Sequence, residues 1–353
     1  MSSPRIRVAI LGASGYIGGE VLRLLVGHPL VELVTITAAT HAGQPVAAVH
    51  PNLAHLCDLT FAADVPVEAV ADLDAVFLAL PHGEAAARVP ALLAAGGTGG
   101  PHGRGPLILD LSGDYRLKTA APHEQAYGLP FQPLAQEAAY GLTEWNRAAI
   151  REAQLIACPG CFPTGALLAL TPLAQAGLLA GPVVVDSKTG SSGSGNKPGE
   201  GTHHPERAAD FRAYGLFSHR HQPEMAQELG KWQPTAPFNL VFTPHSTPMV
   251  RGIFTTAYVF PAQPVTQAEL DAIYAAAYGE AFFVRRTATP RCAVVAHSNF
   301  CDLHAQTDGA GTIIVTSALD NLVKGGAGQA VQNLNCAFGW PEGTGLMFPG
   351  THP

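Results

Sequence analysis

The sequence predicts an α/β protein: a Rossmann-type doubly wound nucleotide-binding domain plus an α+β catalytic and oligomerisation domain. Three observations carry this. A complete strand, glycine turn, helix and strand fill residues 5–37, later apolar strands each run into a polar turn, and 353 residues exceed what one hydrophobic core usually supports. At 47% hydrophobic the chain can bury a large core, and a formal net charge of −7 gives no electrostatic reason to expect nucleic acid or an anionic membrane as partner. The most apolar window, residues 166–185, is interrupted by Pro172, Gly177 and Pro182, so no membrane span is expected. Six cysteines are too sparse for a secreted disulfide scaffold, and no basic-apolar-small leader precedes the first strand, so a cytoplasmic location is expected.

Residues 5–11, RIRVAIL, form a short strand that enters Gly12-Ala13-Ser14-Gly15-Tyr16-Ile17-Gly18-Gly19 and then an apolar helix. The spacing is G-x-x-G-x-x-G. Close main-chain approach to a pyrophosphate needs residues without Cβ, and the helix N-terminus that follows supplies donors and a favourable dipole. Gly12, Ser14, Gly15, Tyr16 and Ile17 are therefore the candidate cofactor contacts. After the second strand, VELVTIT, stand Ala38-Ala39-Thr40-His41, with no carboxylate to repel a 2′-phosphate. This favours NADP (as NADPH), with Thr40 and His41 as its contacts, although no arginine is present there. Further strands at 75–80 and 107–111 lead into Pro81-His82-Gly83 and Ser112-Gly113-Asp114-Tyr115-Arg116.

The middle of the chain carries Cys158-Pro159-Gly160-Cys161-Phe162-Pro163-Thr164 between a strand and a buried helix. Pro-Gly reads as a type II turn in which Gly160 takes a positive φ, placing Cys161 at the helix N-terminus, where the dipole favours a thiolate. Cys161 is thus the better nucleophile, and Cys158 belongs to the strand end. A thiol-disulfide oxidoreductase using both cysteines is the reading from another class. Beyond the next strand, a Ser/Gly run flanked by Lys188 and Lys197 reads as an anion-binding loop rather than a linker. Ser218-His219-Arg220-His221-Gln222-Pro223-Glu224 lacks a third ligand at a recognisable spacing, so no metal is expected, and a neutral histidine close to a thiol serves as general base.

The ordered set of motifs resembles the N-acetyl-γ-glutamyl-phosphate reductases within the aspartate-semialdehyde dehydrogenase-like superfamily. It comprises GASGY at 12–16, LPHG at 80–83, DLSGDYRL at 110–117, PGCFPT at 159–164, HRHQPE at 219–224 and DNLVKG at 320–325. The resemblance implies reduction of N-acetyl-L-glutamyl 5-phosphate to its semialdehyde, in arginine biosynthesis, through a thioester on Cys161. It implies that His219 takes the thiol proton and that His221 and Glu224 orient it or the substrate. Arg116 and Lys188 would hold the phosphate, and Asn321, Lys324 and Gly325 would lie beside the nicotinamide. Relatives usually carry asparagine where this chain has Cys158. The tail from Gly339 and the segment His203-His204-Pro205-Glu206-Arg207 are also similar to the sister reductase that acts on a carrier-protein-linked aminoadipyl phosphate for lysine synthesis. The implied partners are a small-molecule acyl phosphate and a second copy of the chain, as a homodimer or homotetramer. The expected division is a nucleotide domain at 1–157 plus 325–353 and a catalytic and dimerisation domain at 158–324.

Overall fold

The computed structural model describes residues 5–352. The chain divides into two compact units, Met1–Pro159 with Gly326–Met347, and Gly160–Gly325 with Phe348–Pro353. The residues after Met347, expected with the nucleotide domain, group with the second unit instead. A main-chain reason is visible: Thr351 donates its N–H to the carbonyl of Ala296 at 3.2 Å. Among the described residues no helix is long and apolar enough to cross a membrane.

The first unit is a six-stranded sheet. Its strands are β1 (Ile6–Leu11), β2 (Val31–Thr37), β3 (Ala75–Leu78), β4 (Leu107–Asp110), β5 (Ala139–Tyr140) and β6 (Leu155–Ala157), in the order β2-β1-β3-β4-β6-β5. Every pairing is parallel. Strands β3 and β4, AVFL and LILD, are buried throughout, as a parallel sheet covered on both faces requires. The chain leaves β1 towards β2 and returns to β3 on the other side. That reversal opens a crevice at the carboxyl end of β1, where the glycine turn lies.

Helix Gly328–Ala337 is buried along its whole length and packs against helices Thr143–Glu152 and Tyr16–Val26. Its side-chain amide N–H groups are bonded within the protein rather than solvated. Gln329 Nε2 donates to Thr143 Oγ1 at 2.6 Å, Thr143 Oγ1 donates to Asn333 Oδ1 at 2.6 Å, and Asn333 Nδ2 donates to the Gly141 carbonyl at 2.8 Å. Leaving any of these groups unpaired in the interior would cost about 1–3 kcal/mol.

The second unit is a seven-stranded sheet. Its strands are β7 (Gly181–Thr189), β8 (Arg212–Ala213), β9 (Phe238–Ser246), β10 (Ile253–Val259), β11 (Val284–Arg286), β12 (Cys301–Thr307) and β13 (Ile313–Leu319). They run in the order β11-β12-β13-β10-β7-β9-β8. Strict alternation in β7, β9 and β10 sends Val183, Val185, Leu240, Phe242, Ile253 and Ala257 to one face, which is buried. Helix Cys161–Gln175 packs on that face against β10 and β13. Helix Gln267–Tyr278 locks onto it: the Tyr274 and Tyr278 hydroxyls donate to the carbonyls of Ala169 and Leu168. The helix is buried almost throughout, which accounts for the apolar window seen in the sequence.

Asp110, at the end of β4, is wholly buried and accepts the Ser112 N–H at 2.8 Å and the Ser112 hydroxyl at 3.0 Å. Burial outweighs those bonds and pushes its pKa up from 3.8 to about 6. The folded state therefore holds a proton between these values that the unfolded chain has lost, so this stabilisation is present at low pH and disappears as pH rises through about 6. Asp110→Asn keeps an acceptor for the Ser112 N–H and never ionises. It is expected to raise Tm by a few degrees at pH 8 and by clearly less at pH 4.5, read by thermal melts across that range.

Candidate active site

The glycine turn in the first unit is built by three different demands. Gly12 adopts φ +88°, and a Cβ there would stand 2.4 Å from the Ala79 carbonyl oxygen. At Gly18 a Cβ would strike the Gly12 oxygen at 2.3 Å, so this glycine lets helix Tyr16–Val26 close onto the turn. Gly15, the N-cap of that helix, faces open space, where a ligand's phosphates can approach the backbone. The turn is held from below. Gly12 donates its N–H to Thr37 Oγ1 at 3.2 Å, and His50 Nε2 donates to the Ala13 carbonyl at 2.8 Å. Sequence reasoning missed His50, which sits 37 residues from its partner and carries no local pattern. After β2 the chain makes a short 3₁₀ turn at Ala39–His41. Thr40 is exposed there, with its hydroxyl 2.9 Å from His41 Nδ1. This turn structure fits a dinucleotide: it offers main-chain donors at a helix N-terminus, an opening free of side chains and no carboxylate at the end of β2.

Cys161 is the first residue of helix Cys161–Gln175, with Gly160 as N-cap. Thr164 makes the first intrahelical bond, its N–H to the Gly160 carbonyl at 3.0 Å, so the N–H groups of Cys161 and Phe162 have no acceptor within the helix. Pro163 has none to offer. The expected positive φ at Gly160 is not found: its φ is −65°. Glycine is required there by packing, because a Cβ would stand 2.6 Å from His221 Nε2. The Gly160 N–H donates to Glu224 Oε1 at 2.8 Å, which fixes the helix start to helix His221–Trp232. Both His221 and Glu224 are buried. At Gly325 a Cβ would lie 2.9 Å from Cys161 Cβ, so the chain after β13 passes directly against the cysteine.

His219 precedes that second helix inside an aromatic cage: ring centroids lie 5.5 Å from Phe162, 5.2 Å from Phe242, 5.6 Å from Tyr214 and 4.8 Å from His221. Burial, helped by the charge of Arg220, lowers its pKa from 6.5 to about 4, so the ring is neutral at physiological pH. The His221 N–H donates to its Nδ1 at 3.1 Å. A backbone N–H can only donate, so the neutral ring carries its proton on Nε2.

Several predicted residues are engaged elsewhere. Arg116 is buried in the first unit, its Nε donating to the Cys158 carbonyl at 2.7 Å and its Nη2 to the Leu111 carbonyl at 3.1 Å, so it braces strand ends. Lys188 pairs with Asp186 at 2.7 Å on the outer face of β7. Asn321 donates to Ser192 Oγ at 2.9 Å and accepts the Gly252 N–H at 2.8 Å; with Ser192 Oγ on the Val250 carbonyl, this shapes the Ser/Gly run into a bonded 3₁₀ turn. Lys324 is fully buried, its Nζ 5.8 Å from the centre of the Phe283 ring. Of the three residues expected beside the nicotinamide, Gly325 lies against the cysteine, while the Asn321 amide is bonded to Ser192 and Gly252 and Lys324 is buried. Cys158 is 1% exposed, with a pKa pushed up by burial to about 12, and it is a neutral thiol that packs near Asn333. None of the six cysteines is in a disulfide.

A parallel nucleotide-binding sheet followed by a unit with cysteine and histidine at facing helix starts defines a class, and comparison with known proteins agrees. Residues 7–153 match the semialdehyde dehydrogenase NAD binding domain, and residues 161–321 match the semialdehyde dehydrogenase dimerisation domain. The chain belongs to the semialdehyde dehydrogenase family and is an oxidoreductase of amino-acid biosynthesis. It is 45% identical to an N-acetyl-gamma-glutamyl-phosphate reductase of Methanopyrus kandleri, covering 98% of this chain and 99% of that protein. With the enzyme of the same name from Methanocella arvoryzae it shares 44% identity over 99% and 100% of the two chains. A protein of Thermomicrobium roseum, provisionally named LysW-L-2-aminoadipate 6-phosphate reductase, is also 44% identical over 99% of each chain. The fold is shared with aspartate semialdehyde dehydrogenase II of Vibrio cholerae, at TM-score 0.68 and 16% identity over 95% and 98% of the chains.

Three substitutions probe this geometry. Gly325→Ala forces a methyl against Cys161 and is expected to lower kcat at least tenfold while Tm falls by no more than a few degrees, measured by steady-state assay and melting. Cys158→Ala removes an inert thiol and is expected to keep activity within about threefold, whereas Cys161→Ala abolishes turnover.

Proposed function

We propose that the chain catalyses the NADPH-dependent reductive dephosphorylation of N-acetyl-L-glutamyl 5-phosphate to N-acetyl-L-glutamate 5-semialdehyde, in arginine biosynthesis. The observation that carries this reading is Cys161 at a helix N-terminus, bound through Gly160 to the helix that follows His219. Identity of 44–45% to curated reductases of that name supports the substrate.

The helix N-terminus favours the thiolate of Cys161, which attacks the acyl carbon. A C–S bond forms, the C–O bond to phosphate breaks, and inorganic phosphate leaves with the electron pair. His219 enters this step as a neutral ring whose proton sits on Nε2, because Nδ1 is held by the His221 N–H. In that tautomer it is a hydrogen-bond donor to the acyl oxygen, where charge develops, rather than the base for the thiol. Serving as base would require breaking the bond from His221. Glu224 positions rather than reacts, since its Oε1 is spent on the Gly160 N–H. A nicotinamide cofactor held at the glycine turn would supply the hydride for reduction of the thioester to a thiohemiacetal on Cys161, whose C–S bond then breaks to free the semialdehyde and return the thiolate. Gly12, Ser14, Gly15, Tyr16 and Ile17 would hold the cofactor's pyrophosphate end, with Thr40 and His41 at the 2′-phosphate. Phosphate and substrate contacts by Arg116, Lys188 and His221 belong to the same reading; of these, Arg116 and Lys188 already hold partners that substrate would have to share.

A dimerisation domain matches residues 161–321, and the outer face of the seven-stranded sheet, with half-exposed Val184, Val241, Thr256 and Tyr258, is the surface we assign to a second subunit. The Thermomicrobium relative's name favours a second reading, reduction of a carrier-linked aminoadipyl phosphate. Thiol-disulfide exchange is disfavoured, since Cys158 stays protonated.

Phosphate-dependent oxidation of N-acetylglutamate 5-semialdehyde, followed with NADP and with NAD, is the decisive assay. Robust turnover with NADP is expected; turnover only with the carrier-linked aminoadipate semialdehyde would replace the first reading with the second. The pH dependence is expected to show no limb near 6.5, because His219 stays neutral until the pH falls towards about 4. A limb near 6.5 that disappears in His219→Asn would contradict the donor role.

A further inference from the structure

We infer that Arg207 anchors an anion subsite that takes the carboxylate of the substrate remote from its reacting acyl carbon; this rests on the acyl-phosphate reading above. Arg207 ends the short helix His204–Arg207 and is only 8% exposed. Its Nη1 donates to Ser246 Oγ at 2.6 Å and its Nη2 to the Thr247 carbonyl at 2.8 Å. Both partners are neutral. Its Nε–H, also buried, has no partner among the described residues. Asp210, whose charge reaches Arg207, is ion-paired with Arg212, so no carboxylate among the described residues is bonded to the buried guanidinium.

A buried cation with neutral partners is costly, and a fold keeps one where a charge arrives to meet it. The unsatisfied Nε–H together with a remaining hydrogen of an adjacent Nη forms a planar two-pronged edge, the geometry that a carboxylate fits. Its place in the unit says which anion. The Tyr214 ring stands 5.6 Å from the His219 ring, and the Tyr214 N–H is donated to the Pro244 carbonyl at 3.1 Å, two residues along β9 from the Ser246 that holds Arg207. Arg207 and the Tyr214–His219 pair therefore lie beside the same stretch of β9. The phosphate must leave from the acyl carbon at Cys161, so the anion that reaches Arg207 is the other end of the molecule. A five-carbon acyl phosphate ending in a carboxylate has the required two charges.

The test compares acylation of Cys161 by glutaryl phosphate and by pentanoyl phosphate, which differ only in carboxylate against methyl, using mass spectrometry of the quenched protein. The native chain is expected to react at least about tenfold faster with glutaryl phosphate, and Arg207→Met is expected to bring that ratio to about one. Arg207→Lys, which keeps the charge and loses the planar fork, is expected to fall between them. An unchanged ratio in Arg207→Met, including a parallel loss of both rates, overturns the proposal. Should neither variant fold, the native ratio decides alone: a value near one overturns it. Acylation needs neither nicotinamide nor semialdehyde. Absence of NADP-linked turnover would thus sink the proposed reaction while leaving this ratio to be read, and a ratio near one would remove the subsite while leaving the reaction intact.

Discussion

The chemistry of the second unit depends on one main-chain contact, the Gly160 N–H donated to the buried carboxylate of Glu224 at 2.8 Å. It ties the start of helix Cys161–Gln175 to the first turn of helix His221–Trp232, and it tolerates no side chain at Gly160, because His221 occupies that space. Cys161 follows Gly160 directly, and His219 lies two residues before His221. Nucleophile and imidazole thus inherit their positions from a backbone bond instead of from contact with each other. The Phe162 ring stands edge-on to His219, His221 and Phe242 and shields one side of the imidazole. Partial burial, with the Arg220 charge, lowers the His219 pKa and makes the ring a neutral donor.

The two cysteines show how burial separates identical side chains three residues apart. Cys161 sits half-buried at a helix N-terminus, where the helix dipole favours a thiolate. Cys158 follows a central strand of the parallel sheet with Asp110 as an electrostatic neighbour, and both the low dielectric and that acid oppose ionisation. A C-x-x-C spacing in sequence carries no redox meaning when one sulfur is held in its neutral form.

Polar groups in the interior follow the same logic with a different outcome. The buried amides on helix Gly328–Ala337 find protein partners and act as fasteners within the first unit. Asn321 does so in the second unit, holding the Ser191–Ser194 turn. Arg207 differs from them in carrying a positive charge together with a buried N–H left over, which is why it points to an anion and they do not.

Much was legible in the sequence by itself. Local patterns determined the βαβ unit at the N-terminus, the apolar strands of the first unit and the position of Cys161 at a helix start, since each depends on residues close together in the chain. The glycine spacing likewise reports a local turn. Only the tertiary structure decided what long-range partners a side chain meets. It turned Gly160 from a positive-φ residue into a packing requirement, committed Lys324 and Asn321 to the interior, gave Lys188 a carboxylate, braced Arg116 against strand ends and brought His50 beneath the glycine turn. It also fixed the His219 tautomer, through a backbone N–H that no motif encodes. The physical reason is the range of the interactions: propensity and periodicity act over a few residues, whereas desolvation and hydrogen-bond satisfaction are set by whatever the fold brings alongside.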